Sequence, residues 1–428
     1  MEIYADNFRG FTNQTIQIKD VNFFVGENST GKSSILSALT ILESLESNHF
    51  AKFSNGFSDI NFYSDATNNE RPFILGHSRE RKHGKATFLY EFAQIKGKPS
   101  LFSITFVYND HICYSNIQGY GKRPALIRPI EFSDSFSFEK LSQHLHQLRE
   151  EYQSIEHDED EPTSLTIRRT NFMPMIFGTK LEFAEKVFID NDQPYTGEFA
   201  FTKSFPDIVW LAPIRAEAKR IYEDIETQFS PTGEHIPGMI KTLADRKSKK
   251  RSRTEHLVNE FGKRSQLFES ISVRKYGDES DSPFQLMVNM GETEVRITNT
   301  GYGLSQVLPI IMEVLHREED TFFILMQPEV HLHPKAQAAL GELIAGMADV
   351  EDKKFIIETH SDYLINRFRL TKKNFKINKT SSVTFFSRTK AFNKATQINI
   401  DEKGRYDSDQ PKEFRDFFIQ EELSLLEL

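Results

Sequence analysis

The stretch Gly26-Glu27-Asn28-Ser29-Thr30-Gly31-Lys32-Ser33-Ser34 constrains the fold more than any other part of the chain. Two glycines with four residues between them, followed by Lys and a hydroxyl residue, make the phosphate-binding loop pattern. Glycine lets the backbone curl until successive N–H groups face one anion. Lys32 brings a cation to the β- and γ-phosphates, and the Ser33 hydroxyl is of the type that ligates Mg²⁺. The flanks agree. Val21-Asn22-Phe23-Phe24-Val25 is a short apolar run of β-formers and reads as a buried strand. Ile35, Ala38, Leu39, Leu42 and Leu45 then recur at helical spacing. Strand, loop and helix form the frame such a loop needs, because the helix N-terminus presents its amides to the anion.

The rest of the chain accommodates that frame. Its 428 residues suffice for two or three domains, or for one large domain with insertions. The 38 phenylalanines point to substantial aromatic cores. A net charge of -9 gives no global signal for nucleic acid. The single cysteine, Cys113, excludes an intramolecular disulfide framework and fits a reducing compartment. The first residues lack the character of a secretory signal, and no apolar run reaches membrane-spanning length, so a soluble cytoplasmic protein with no membrane partner is expected.

In chain order, residues 1–25 read as strands around a turn, and 86–118 as β-rich. Residues 135–156 read as a helix with Leu141, Leu145 and Leu148 on one side, running into an acidic loop that includes Glu156, Asp158 and Asp160. Ile208-Val209-Trp210-Leu211 is a further core strand leading to Ala212-Pro213-Ile214-Arg215, and Val273–Val295 looks β-like. The expected division is an N-terminal part (1–118), an inserted helical or mixed region (119–205) and a C-terminal part (206–428).

Three later segments carry chemistry. Thr321–Met326 is an apolar strand, followed by Gln327-Pro328-Glu329-Val330-His331-Leu332-His333-Pro334. In phosphate-loop enzymes, acids at such a strand end hold Mg²⁺ and act on water. Pro334 suits the first turn of a following helix. His331 and His333 have alternate spacing but no supporting cysteines or further histidines, which favours a structural role over a zinc site. Lys354–Ser361 reads as a strand whose carboxyl end presents His360, where ligands sit in open α/β sheets. Gly301-Tyr302-Gly303-Leu304-Ser305-Gln306 reads as a turn giving way to a serine that can N-cap a helix, either as a plain cap, the reading the segment alone favours, or as a cap that also binds an anion there.

Together these residues resemble the ABC-class ATPases of the RecF, SMC and OLD type. The likeness covers roughly residues 1–65 and 205–428. Asn7-Phe8-Arg9-Gly10-Phe11 is similar to the family's opening strand, and Thr300–Gln306 to its signature segment. Glu329-Val330-His331-Leu332-His333-Pro334 and Glu358-Thr359-His360-Ser361 resemble its Walker B extension and switch-histidine strand. The nearest subgroup looks like the short prokaryotic ATPases found in anti-phage defence operons. The resemblance implies a P-loop ABC-type head, an α/β fold with a doubly wound, mostly parallel core sheet and a β-rich flank. It also implies ATP and Mg²⁺ as cofactors and a head-to-tail homodimer in which Ser305 of one copy meets the nucleotide held by the other. Lys32 and the loop amides then bind phosphate, Ser33 binds Mg²⁺ and His360 senses the γ-phosphate. About seventy residues follow His360, so no TOPRIM nuclease domain is expected, and a separately encoded effector such as a nuclease or toxin is implied.

One departure from the family stands out. Where it places an acid and then a catalytic Glu, this chain has Met326 and Gln327. Met326 offers Mg²⁺ no carboxylate, and Gln327 cannot act as a general base. Glu329 supplies the acid from two positions on, or the chain binds ATP tightly and turns it over slowly, or Gln327 is an introduced Glu→Gln change. A slow ATP-dependent scaffold is therefore the alternative to an active ATPase. Arg246, Lys247, Lys249, Lys250, Arg251 and Arg253 place six cations in eight residues. They offer either a phosphate-backbone contact, as in a RecF-like repair ATPase, or a solvated segment.

Overall fold

The computed structural model describes residues 1–48, 50–54, 59–67, 69–81, 84–108, 111–117, 126–129, 137–154, 205–223, 226, 228–245, 249–279, 281–389, 392–408 and 410–416. The acidic stretch and residues 155–204 of the expected insertion lie outside them. The chain forms two compact units. The first comprises residues 1–18, 28–206 and 387–395, and the second 19–27, 207–386 and 396–428.

The first unit is built on β1 (Glu2–Asp6) and β2 (Gln14–Gln17). Helix α1 (Lys32–Asn48) follows, then β4 (Phe73–Arg81), β5 (Gly84–Ile95), β6 (Lys98–Tyr108), β7 (His111–Asn116), β8 (Leu126–Pro129) and α2 (Phe138–Ser154). The strands form an antiparallel sheet in the order β2-β1-β4-β5-β6-β7-β8. Alternation along each strand separates two faces. One face is covered by α2, whose Phe138, Leu141, Leu145, Leu148 and Tyr152 pack with Tyr4, Leu89 and Tyr114. Gly76 makes room here, since a Cβ on it would meet Leu89 at 2.5 Å and Phe138 at 3.1 Å. The Arg149 guanidinium of α2 pairs with the buried Glu91 at 2.5 Å. The other face carries the stacked rings of Phe73 and Phe92 and the Phe88–Phe106 pair, and Tyr90 there donates its hydroxyl to Glu46 of α1 at 2.5 Å. The phenylalanine-rich composition is thus spent on sheet faces.

The second unit holds β3 (Val21–Gly26), β9 (Ile208–Leu211), α3 (Ile236–Asp245), α4 (Lys249–Ser265) and a small antiparallel sheet of β10 (Ser270–Lys275), β11 (Phe284–Met290) and β12 (Thr293–Arg296). Then come α5 (Tyr302–His316), β13 (Phe322–Met326), α6 (Pro334–Glu351), β14 (Lys354–Glu358), α7 (Asp362–Phe375), β15 (Ser381–Arg388) and β16 (Asn393–Ile400), with residues 387–395 grouped with the first unit. The main sheet runs β16-β15-β3-β14-β13-β9, and β15, β3, β14, β13 and β9 are mutually parallel. Strand order departs from chain order on both sides of β3, as a doubly wound sheet requires. One face, with Phe23, Phe355, Ile357, Phe323 and Leu325, packs into a single core with α5, α6 and α7. Phe24, Glu358 and Met326 lie side by side in register and point to the opposite face. Among the described residues, no helix is long and apolar enough to cross a membrane.

Candidate functional site

The phosphate-loop residues occupy the strand–loop–helix frame that their spacing demands. Strand β3 ends at Gly26 and α1 begins at Lys32. Both glycines are required by the backbone. Gly26 has φ +146, and a Cβ on it would lie 2.2 Å from the Phe386 carbonyl oxygen. Gly31 has φ +101, and a Cβ there would meet the Phe11 ring at 2.5 Å. The Asn7–Phe11 segment therefore has a structural role. Phe8 and Phe11 exchange backbone hydrogen bonds in a tight turn, and the Phe11 ring closes against the phosphate loop. Ser29, with φ +63, supplies the remaining left-handed position. Glu27, Asn28, Ser29 and Ser33 are exposed, Ser34 is half-buried, and Thr30 is buried. Lys32 is only 4 % exposed. Within the first turn of α1, the Ser34 and Ile35 amides bond the Gly31 carbonyl at 3.0 and 3.1 Å, and the positive end of the helix dipole at this terminus favours an anion.

In the second unit the carboxyl ends of β13 and β14 bring Gln327, Glu329 and His360 together. Gln327 turns off β13 at φ +43 and donates its N–H to the Glu358 carbonyl at 2.8 Å. Glu329 Oε1 accepts the His360 N–H at 2.7 Å. Its other oxygen, Oε2, is buried without a hydrogen-bond partner among the described residues. Burial pushes the Glu329 carboxyl above the usual range, against the opposing pull of the His360 and Glu329 amides, the Thr359 hydroxyl and the Arg215 charge. The strand ends at Glu358, and His360 is exposed two residues beyond it. Ser361 then N-caps α7 through its contact with the Leu364 amide, and its hydroxyl donates to Gln337 of α6 at 2.6 Å.

Arg215 had no assigned role in the sequence, yet among the described residues it is the largest fully buried side chain, at 2 % exposure. Nη1 donates to the Gln306 carbonyl at 3.1 Å, and Nη2 to the Met326 carbonyl at 3.1 Å, with Gln327 O at 3.4 Å. The Gln306 amide clasps the Arg215 backbone from both sides, accepting its N–H at 3.0 Å and donating to its carbonyl at 3.1 Å. One guanidinium thus ties the segment bearing Ser305 to the strand end bearing Gln327 and Glu329. Burial lowers its pKa to about 10, with the Glu329 charge opposing, so it remains charged at neutral pH.

Ser305 itself is placed differently from expectation. Helix α5 starts at Tyr302 with Gly301 as its N-cap, so Ser305 falls one turn inside. Its hydroxyl donates back to the Tyr302 carbonyl at 2.8 Å and caps nothing. The half-buried side chain borders a cleft of about 870 Å³ whose walls include Glu217, Glu234 and Pro309. Gly303 lets the helix start approach the His331 turn, since a Cβ on it would lie 2.6 Å from the His331 carbonyl. Tyr302 meets the His331 ring edge-on at 4.7 Å. His333 N-caps α6 through Nδ1, and no cluster of metal-ligating side chains occurs among the described residues.

The basic segment is only partly visible. Arg246 and Lys247 lie outside the described residues, and the side chains of Lys249, Lys250 and Arg251 do too, though their backbone opens α4. Arg253 is committed within the chain to an ion pair with Glu351. The backbone of residues 249–253 is helical, with Ser252 and Arg253 exposed.

A glycine-framed phosphate loop leaving a parallel sheet, with acid and histidine at neighbouring strand ends, defines a nucleotide-binding P-loop protein. More particularly, the chain belongs to the AAA ATPase domain family, whose model matches residues 1–365. Among solved structures it is similar to the SMC head domain from Thermotoga maritima, at 13 % identity and TM-score 0.40, over 92 % of this chain and 97 % of that one. It is also similar to an SMC head bound to the C-terminal winged-helix domain of ScpA, at 11 % identity and TM-score 0.41, over 93 % and 98 %. A third is an SMC head with an extended coiled coil bound to the C-terminal domain of ScpA derived from Pyrococcus furiosus, at 12 % identity and TM-score 0.36, over 99 % and 98 %. Comparison with curated proteins gave no match.

Proposed function

We propose that the chain is an ABC-class ATPase head. It binds ATP with Mg²⁺, pairs head to tail with a second copy around the nucleotide, and uses hydrolysis to control a separately encoded effector. Lys32 and the amides of Gly26–Ser34 hold the phosphates. Mg²⁺ takes hard oxygen donors, which the exposed Ser33 hydroxyl fits. Ser305 of one copy meets the γ-phosphate held by the other. Glu329, with its raised pKa, takes the proton of the attacking water, Gln327 orients that water, and His360 senses the γ-phosphate. The observation that supports this most is the Arg215 clasp, a rigid link between the Ser305 segment and the Glu329 strand end. A head that responds at Ser305 and reacts at Glu329 needs such a link. Effector control and a setting in anti-phage defence rest on the sequence resemblance alone.

A slow ATP-dependent scaffold is the second reading. Met326 and Gln327 favour it, since neither side chain offers a carboxylate at the strand end. Light scattering on the full chain tests the pairing. ATP with Mg²⁺ should convert wild type to a dimer, while Lys32→Ala and Ser305→Arg stay monomeric. Wild type that binds ATP and stays monomeric refutes head-to-tail pairing.

A further inference from the structure

The small antiparallel sheet of the second unit leaves one edge open beside a groove. Strand β10 pairs with β11 alone, so its other edge meets no strand. The phase of that edge follows from one bond. Tyr276 donates its N–H to the carbonyl of Pro283, directly opposite, at 2.9 Å, so by alternation Arg274 and Ser272 also turn their backbone groups to β11. Phe284, opposite Lys275, agrees with this phase, because it exchanges its N–H and C=O with Tyr222 on the far side of β11. The backbone groups of Ile271, Val273 and Lys275 therefore point out of the open edge. Among the described residues those groups have no hydrogen-bond partner. Along the same edge runs a groove of about 510 Å³. Ile240 and Leu243 of α3, Val258 of α4, Met312 of α5 and Ile271 and Val273 of β10 give it an apolar lining. Its charged lining, Asp245 and Glu255 against Lys275, is net negative, and Lys275 is paired with Asp245. Exposed Asp278, Glu279 and Asp281 follow just past the end of the strand.

We propose that this edge and groove bind an extended segment of a partner protein, which joins the small sheet as a strand beside β10. The hydrogen-bonding pattern selects the occupant. Donors and acceptors at every second residue, about 6.8 Å apart, are answered by another extended backbone. A helix spends its backbone bonds internally and leaves the edge unanswered. The groove then takes alternate side chains of the added strand, which its apolar lining requires to be apolar. The net negative lining and the acids beyond Lys275 favour a lysine or arginine at the end of the segment that passes them. The partner is thus a strand-forming peptide with apolar residues at alternate positions and a basic end. Neither edge nor groove includes Lys32, Ser305 or Glu329, so the inference stands apart from the nucleotide reading.

The test titrates the full chain, without nucleotide, into a fluorescein-labelled peptide of sequence Val-Ser-Val-Ser-Val-Lys-Lys and follows fluorescence anisotropy. Wild type should bind it saturably with Kd below about 1 mM, and hydrogen exchange of residues 270–276 should slow in the complex. Val273→Pro removes an outward N–H and leaves the β10–β11 ladder intact, which an edge strand tolerates. It should weaken binding at least about 10-fold, since one hydrogen bond is lost and the ring blocks close approach. Asn259→Arg, which fills the groove from its half-buried wall on α4 and repels the basic end, should do the same; it serves should Val273→Pro fail to fold. Absence of saturable binding by wild type, or binding unchanged in the folded variants, overturns the proposal. So does a nucleotide-independent dimer of wild type that Val273→Pro abolishes, because it assigns the edge to a second copy of the chain.

Discussion

Replacing Arg215 by Met removes the guanidinium and keeps much of the volume. Three carbonyls lose their donor: Gln306 at 3.1 Å, Met326 at 3.1 Å and Gln327 at 3.4 Å. The two shorter bonds come from a charged donor and are each worth about 1.5–3 kcal/mol. Against this, the native protein holds the guanidinium nearly dry, at a cost that shows in its lowered pKa of about 10. Methionine removes that cost, so the net loss should be about 2–4 kcal/mol. Urea unfolding followed through Trp210 reads it directly. Trp210 is the only tryptophan and pairs in register with Ile324 in the sheet that Arg215 braces. With a slope of about 2–3 kcal/mol/M, the midpoint should fall by about 1 M. Arg215→Lys, a point charge without the planar fork, should fall between the two. A loss under about 1 kcal/mol with an unchanged slope would show that the clasp does not brace the sheet.

Other outcomes follow from the same contacts. Gly26→Ala sets a Cβ against the Phe386 carbonyl at 2.2 Å in a left-handed backbone and should cost about 3 kcal/mol or more in the same unfolding assay, with loss of ATP binding. Burial raises the Glu313 carboxyl, but hydrogen bonds from His235 at 2.6 Å and Arg317 at 2.7 Å outweigh it, so its pKa is lowered overall. A depressed carboxyl stabilises above its unfolded value near 4.5 and loses that contribution as pH falls through the folded pKa. The thermal midpoint of wild type should thus drop more steeply below about pH 4.5 than that of Glu313→Gln. Glu329 has the opposite sign: its raised pKa should place the acid limb of the ATPase pH profile above the ordinary carboxylate range. Arg215→Met, which removes the cation that lowers it, should move that limb further up.

The parts of the fold that were legible in the sequence were those whose signal is local. Largely apolar runs at 21–25, 322–326 and 355–357 became adjacent parallel strands because a strand buried on both faces is mostly apolar. Pro334 opens α6 as its fixed φ allows. Leu141, Leu145 and Leu148 form the buried side of α2, as their spacing indicates. Ser305 was misplaced because Gly301 and Ser305 both make acceptable caps, and only the packing of Gly303 on the His331 carbonyl sets the helix start. Arg215 left no trace in its own neighbourhood. The carbonyls that hold it come from 91 and 111 residues later in the chain.

The most direct test of nucleotide chemistry on this loop is steady-state ATP hydrolysis with Mg²⁺, comparing wild type with Lys32→Ala and Gln327→Glu. Wild type should turn over slowly, Lys32→Ala should lose turnover, and Gln327→Glu should raise it by restoring a base at the end of β13. Turnover in Lys32→Ala equal to wild type, or no ATP binding by wild type at all, would contradict it.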